Sequence, residues 1–293
     1  MQKQVLNRPE EIKAVIPFGD GRELPLSRPL VMGVLNVTPD SFSDGGKYAK
    51  PRAAVRRATE MIKQGANIID IGGESTRPGA EPIDAETEIE RVIPVIESIR
   101  KKSDIPISID TYKARVAEIA ISAGADIVND ISALQFDQAM PDVVANCKVP
   151  VVLMHMQGTP GQMQQDPHYD DCIGEIQKFF LDRIEFCKLA GIDKSKIILD
   201  PGIGFGKRLS DNTQILANLE TFKSFSLPIL IGVSRKSFIG MINPTDSKAA
   251  NRIGGSIAAA LLAIQNGANI VRVHDVAETV EAIKVIKAIR VEI

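Results

Sequence analysis

Short β-branched runs alternate along this chain with longer stretches in which apolar residues return every three or four positions. The runs are Leu30–Asn36, Asn67–Ile71, Pro106–Asp110, Asp126–Asn129, Pro150–Met154, Lys196–Asp200, Pro228–Gly232 and Asn269–Val273. Apolar on both faces and bounded by turn residues, they have the pattern of strands buried in a parallel sheet. Helical spacing lies between them, at Val55/Ala58/Ile62, Ile89/Val92/Ile96/Ile99, Val116/Ile119/Ala123 and Ile173/Ile176/Phe180/Ile184. It continues at Asn218–Phe222, Ile253/Ile257/Leu261 and Val276/Val280/Ile283, and a short helix is expected around Pro141–Cys147. Eight such β-then-α units predict an α/β fold, a (β/α)8 TIM barrel, in one domain over residues 1–293. The residues before Leu30, with Gly19-Asp20-Gly21 as a turn, are expected to form a hairpin plugging the barrel bottom. An open doubly wound sheet is the alternative, but it usually carries GxGxxG after its first strand, and none follows here.

One phrase recurs at the helix-to-strand joints: Gly65-Ala66-Asn67-Ile68-Ile69-Asp70, Gly124-Ala125-Asp126-Ile127-Val128-Asn129 and Gly267-Ala268-Asn269-Ile270-Val271-Arg272. The glycine reads as the residue that ends a helix in a left-handed conformation. Each strand then closes on a group that grips ligands: a carboxylate, an amide, a guanidinium. Polar groups at the C-terminal ends of parallel strands are where an α/β barrel keeps its active site.

Composition narrows the function classes. At 293 residues, 44 % apolar and 25 % charged, the chain is an ordinary globular protein. A net charge of −2, with no tryptophan, gives no case for binding nucleic acid. No apolar stretch is long enough to span a bilayer, and the N-terminus leads into no apolar signal region, so no membrane partner and a cytoplasmic location are expected. Cys147, Cys172 and Cys187 are scattered thiols, and three separated histidines give a zinc site little support.

At or just past the strand ends stand Asn36, Asp70, Asp110, Asn129, Met154, Asp200, Arg272 and His274. Taken singly, Asp110 reads as a helix cap and Asp200 as a turn residue. Asp275, with Glu278 three residues on, has the spacing of a capping box and is read as one. Capping does not account for an aligned Arg272, His274 and Lys236. Together these groups imply a ligand with hydrogen-bond donors at one end and negative charge at the other. Gly202-Ile203-Gly204-Phe205-Gly206-Lys207 is neither a Walker A loop nor a dinucleotide fingerprint. Its glycines are expected to let backbone approach a flat ring or an anion. Ser234-Arg235-Lys236-Ser237, at a helix N-terminus, suggests anion binding. The long loops Val37–Pro51, Gly72–Asp84 and His155–Pro167 are expected to act as lids.

Several motifs resemble the dihydropteroate synthase family. They are Met32-Gly33-Val34-Leu35-Asn36-Val37-Thr38-Pro39-Asp40-Ser41-Phe42-Ser43-Asp44-Gly45-Gly46 and Asp70-Ile71-Gly72-Gly73-Glu74-Ser75-Thr76-Arg77-Pro78-Gly79. Ser108-Ile109-Asp110-Thr111, Asn129-Asp130, Leu199–Lys207, Ser234–Ser237 and Arg272-Val273-His274-Asp275 extend the likeness from about Leu30 to the end. The resemblance implies a transferase, and a sulfonamide target, that joins 6-hydroxymethyl-7,8-dihydropterin diphosphate to 4-aminobenzoate. The products would be diphosphate and 7,8-dihydropteroate, on the folate route. It implies a pterin site of Asp110, Asn129, Met154, Asp200 and Lys236, and a diphosphate site of Asn36, Arg272 and His274, with Mg2+ on Asn36. Phe42, Thr76, Arg77, Pro78, Phe205, Ser234 and Arg235 would hold 4-aminobenzoate. Asp44, Lys236 and Arg272 would serve catalysis, and a homodimer on the last helices is implied. A methyltetrahydrofolate-dependent methyltransferase and a Schiff-base aldolase using Lys236 stand as alternatives.

Overall fold

A computed structural model describes residues 15–38, 49–75, 81–244 and 248–291. The first two strands, β1 (Val15–Pro17) and β2 (Glu23–Pro25), pair antiparallel as the expected hairpin. Then β3 (Leu30–Asn36), α1 (Ala49–Gln64), β4 (Ile68–Gly72), α2 (Ala85–Arg100), β5 (Ile107–Asp110), α3 (Ala114–Ser122), β6 (Ile127–Asp130) and α4 (Met140–Cys147) alternate. The series continues through β7 (Val151–Met154), α5 (Cys172–Leu189), β8 (Ile197–Asp200), α6 (Leu209–Ala217) and β9 (Leu230–Gly232). It ends with α7 (Ser237–Ile242), α8 (Ile253–Gln265), β10 (Ile270–Val273) and α9 (Val276–Val291). The parallel sheet runs β8-β7-β6-β5-β4-β3-β10-β9, and a bridge from Leu199 to Ile229 brings its edges together. This is the (β/α)8 barrel.

Each recurrent joint does two jobs. Gly65, Gly124 and Gly267 have φ of +102°, +112° and +112°. Their N–H groups donate to Ile62, Ile121 and Ile264, and the following alanines donate to Met61, Ala120 and Ala263. That pair of bonds is the Schellman ending, which satisfies the last helical carbonyls. The next residue then ties the neighbouring strand: Asn67 Oδ1 accepts from Val31 N, Asp126 Oδ2 from Ile107 N, and Asn269 Oδ1 from Ile229 N, at 2.8–2.9 Å. The Asn/Asp of the phrase is therefore a strand-start clamp that aligns adjacent strands.

Alternation along the strands sorts their side chains into two cores. Residues such as Ile69, Ile71, Val128, Leu153 and Val271 pack under the helices. Met32, Ile68, Ile127, Val152, Ile198, Leu230 and Ile270 point into the barrel, where Ile16, Phe18 and Leu24 of the hairpin close them off. Burying each such side chain contributes about 1.5–3 kcal/mol. Arg22 beside the hairpin turn pairs with Asp126, and Lys196 Nζ donates to Pro17 O at 2.7 Å, which fixes the plug.

Where the sixth helix was expected at 218–222, the chain instead forms α6 earlier and a 3-10 stretch over Leu219–Phe225. The polar run Ser210-Asp211-Asn212-Thr213 hides the helical period, yet Asp211 starts the helix by accepting from Arg208 N at 2.8 Å. Among the described residues no helix is long and apolar enough to cross a membrane.

Candidate active site

Two positions beyond five residues of the apolar floor, the same inward parity delivers strand-end residues of the expected set. Asp70 follows Ile68, Asn129 follows Ile127, Met154 follows Val152, Asp200 follows Ile198, and Arg272 follows Ile270. Asn36, Gly72, Asp110 and Asn129 form one register row across β3, β4, β5 and β6, and Met154 pairs with Asp200 across β7 and β8. The strand residues named from sequence thus share one mouth above a sealed apolar layer.

The centre of that mouth is an ion cluster. Arg272 Nε donates to Asp70 Oδ2 at 2.6 Å and Nη2 to Asp110 Oδ2 at 2.6 Å. Asn129 Nδ2 lies 3.3–3.4 Å from both Asp70 oxygens. Burial opposes the charge of Arg272, but the two carboxylates outweigh it and raise its pKa. Burial pushes the Asp110 carboxyl up to about 7 against the pull of Arg272, helped by the like charge of Asp70. Sequence reasoning placed Asp70 at a strand end without giving it a role. Its partner stands 202 residues away, so only the closed barrel reveals it.

Opposite, Asp200 accepts from Gly202 N at 2.8 Å, and burial raises its carboxyl pKa against that bond and the nearby lysines. Lys236 Nζ lies 4.1 Å from the centre of the Phe205 ring. Burial lowers the Lys236 pKa to about 8, while Asp200 works the other way. A cation so placed on an aromatic face gains an attraction of about 0.5–2 kcal/mol. Ser234 Oγ accepts from His274 N at 3.1 Å and sits 3.1 Å from His274 Nδ1.

Two expectations need correction. The glycines of the 202–206 loop chiefly admit a neighbouring loop: a Cβ on Gly202 would lie 2.0 Å from His155 O, and one on Gly206 2.4 Å from Gln157 O. Asp275 grips Arg235, its oxygens accepting Nε at 3.0 Å and Nη2 at 2.5 Å, so its carboxylate serves as the counter-ion of Arg235. The helix after Ser234-Arg235-Lys236 is only six residues long, and Arg235, at φ +60°, has its guanidinium on Asp275. In the 155–167 segment, Gln164 Nε2 donates to Gly204 O at 2.6 Å, and Tyr169 just beyond it donates to Gly206 O at 2.8 Å. Phe42, Asp44, Thr76, Arg77 and Pro78 lie outside the described residues.

Among the described residues, no three His, Cys, Asp or Glu gather as a metal-holding group. Asn36, at the end of β3, offers one amide oxygen. That sparse donor set fits magnesium, which keeps several waters and leans on substrate phosphates.

A model of the family described as pterin binding enzyme matches residues 32–274. The dihydropteroate synthase of Escherichia coli (strain K12) is 50% identical over 271 residues, covering 92% of this chain and 95% of that protein. Two solved structures resemble the chain closely. Xanthomonas albilineans dihydropteroate synthase with 4-aminobenzoic acid is 47% identical with a TM-score of 0.87, over 94% of this chain and 98% of that one. Yersinia pestis dihydropteroate synthase with a sulfonamide drug complex is 48% identical with a TM-score of 0.87, over 92% and 97%.

Proposed function

This chain belongs to the pterin-binding enzymes and, among them, to the dihydropteroate synthases; from that premise we propose how its barrel mouth performs the reaction. The protein condenses 6-hydroxymethyl-7,8-dihydropterin diphosphate with 4-aminobenzoate, giving 7,8-dihydropteroate and diphosphate in folate biosynthesis, and it is a target of sulfonamides.

The pterin presents an exocyclic amine and a ring N–H side by side, which one carboxylate accepts as a pair; Asp200 takes that role. Asp110 and Asn129 meet other ring atoms, Lys236 donates to the ring, and Met154 packs against it. A bicycle lacking these donors would leave buried acceptors unpaired, which is the basis of selectivity. Arg272, His274 and Asn36 receive the diphosphate. When bound, magnesium would neutralise phosphate charge, with Asn36 supplying its protein oxygen.

As diphosphate departs, positive charge develops on the electron-rich pterin and negative charge on the leaving group. Arg272 and His274 meet the negative charge, and Asp44 offsets the positive. No strong general base is required, since an arylamine attacks unaided and sheds its proton afterwards. Phe205, Ser234 and Arg235 line the 4-aminobenzoate side, joined by Phe42, Thr76, Arg77 and Pro78. We read residues 1–293 as one domain that works in the cytoplasm as a homodimer through its last helices.

The observation that carries this reading is the convergence of Asp110, Asn129, Met154, Asp200 and Arg272 at the inward side of the strand ends. The test is incubation with Mg2+, pterin diphosphate and 4-aminobenzoate, followed by mass spectrometry for dihydropteroate. Product formation that survives chelation of all divalent metal would remove magnesium from the account.

A further inference from the structure

Lys207 ends the glycine-rich motif, and the mechanism above gives it no part. It is 3% exposed, and its ammonium points into the protein. Nζ lies 3.0 Å from His155 Nδ1, 3.3 Å from His155 O and 3.0 Å from Phe205 O. Three donors thus face three acceptors, one for one. All three acceptors are neutral: burial and the facing Lys207 hold His155 unprotonated, and the other two are carbonyls.

That choice of partners is costly. A buried ammonium ordinarily takes a carboxylate, and without one it loses hydration that neutral acceptors only partly replace. A sequence that keeps a lysine there gains geometry from it. The three bonds join two strand-to-helix loops, Phe205 on the one after β8 and His155 on the one after β7. Gly202 and Gly206 already bring these backbones together, because no Cβ fits at either place. The ammonium adds a bond at 3.0 Å to the carbonyl of Phe205 itself.

Both ends of the join lead to substrate groups. The Phe205 ring lies beneath the Lys236 ammonium. His155 N donates to Asp200 O at 2.9 Å, so the same residue that receives Lys207 also holds the main chain of the pterin carboxylate.

We infer that Lys207 is a positioning residue, which orients Phe205 for 4-aminobenzoate by bonding its carbonyl to the His155 loop. The inference rests on the reading of Phe205 as a wall of the aminobenzoate site.

The test is steady-state kinetics on the full-length enzyme below pH 7, where Lys207 still carries its proton, with saturating pterin diphosphate and Mg2+, alongside a thermal melt of each variant. In Lys207→Met the KM for 4-aminobenzoate should rise about tenfold or more while kcat stays within about threefold, because orientation of the second substrate is lost and the leaving-group chemistry is not. A second pair removes the acceptor and leaves the lysine. His155→Leu should raise the same KM about tenfold, and His155→Asn, whose amide oxygen replaces the ring nitrogen, should return it to within about threefold of wild type. A folded Lys207→Met whose KM is unmoved, with only kcat lowered, overturns the inference in favour of a purely structural lysine. If Lys207→Met does not fold, equal KM values in the two His155 variants overturn it. Wild-type enzyme that makes no dihydropteroate overturns the functional reading and this inference together; active wild type with unmoved variants overturns this inference alone.

Discussion

Arg272 Nη2 donates to Asp110 Oδ2 at 2.6 Å, so the guanidinium assigned to diphosphate is bonded to a carboxylate assigned to the pterin. On the proposed roles, the pterin's donors and Arg272 compete for one acceptor. Asp70, fully buried, accepts the other arm of the guanidinium, Nε, at 2.6 Å.

Asp70→Asn removes that anchor. One side of a buried pair is lost while the Arg272 charge stays in place, so unfolding stability should fall by about 3 kcal/mol. Urea denaturation measures it, and a loss below about 1 kcal/mol would show that Asp110 alone carries the cation.

Asp200→Asn separates binding from stability. The substitution turns one acceptor into a donor facing pterin donors, which should weaken pterin binding by about 2–4 kcal/mol in calorimetry. The amide oxygen can still accept from Gly202 N, and the burial that penalises the carboxylate charge disappears. The variant should therefore unfold no earlier than wild type, and unchanged pterin affinity would remove Asp200 from the pterin grip.

Alternation and the Gly-Ala joints make the strand-end residues legible, since a period of two fixes which groups share the barrel interior. Pairings are another matter. Asp275 and Glu278 have cap spacing, and nothing local distinguishes a cap from a counter-ion for Arg235, forty residues earlier. Lys207 is likewise opaque: in sequence it ends a glycine-rich loop that matches neither phosphate motif, and its target is a histidine on the preceding βα loop. The Asn/Asp of each joint looks like turn chemistry until the adjacent strand is seen to bond it.

Burial lowers the Lys207 pKa to about 7, well under its ordinary 10.5. From about pH 7 to 10 the unfolded chain therefore binds a proton there that the folded chain lacks, and stability rises with pH. Lys207→Met deletes this contribution, so its stability-versus-pH slope between pH 7 and 9 should be shallower by up to about 1.4 kcal/mol per unit. Parallel slopes would mean the folded lysine keeps its proton throughout. Lys236, shifted the same way, is present in both proteins and cancels.

Asp275→Asn should act on the second substrate alone. Arg235 keeps its backbone bond to Ser256 Oγ but loses the carboxylate that fixes its fork. The KM for 4-aminobenzoate should climb about tenfold, roughly 1.4 kcal/mol, with pterin affinity unaltered. Equal losses for both substrates would place Arg235 elsewhere in the mouth.

The hairpin under the barrel turns the site into a cup with one opening. Ile16, Phe18 and Leu24 fill the far end, so no molecule passes through. On the roles proposed above, both substrates, the joined product and diphosphate must all use that one opening. Turnover becomes a queue at a single door.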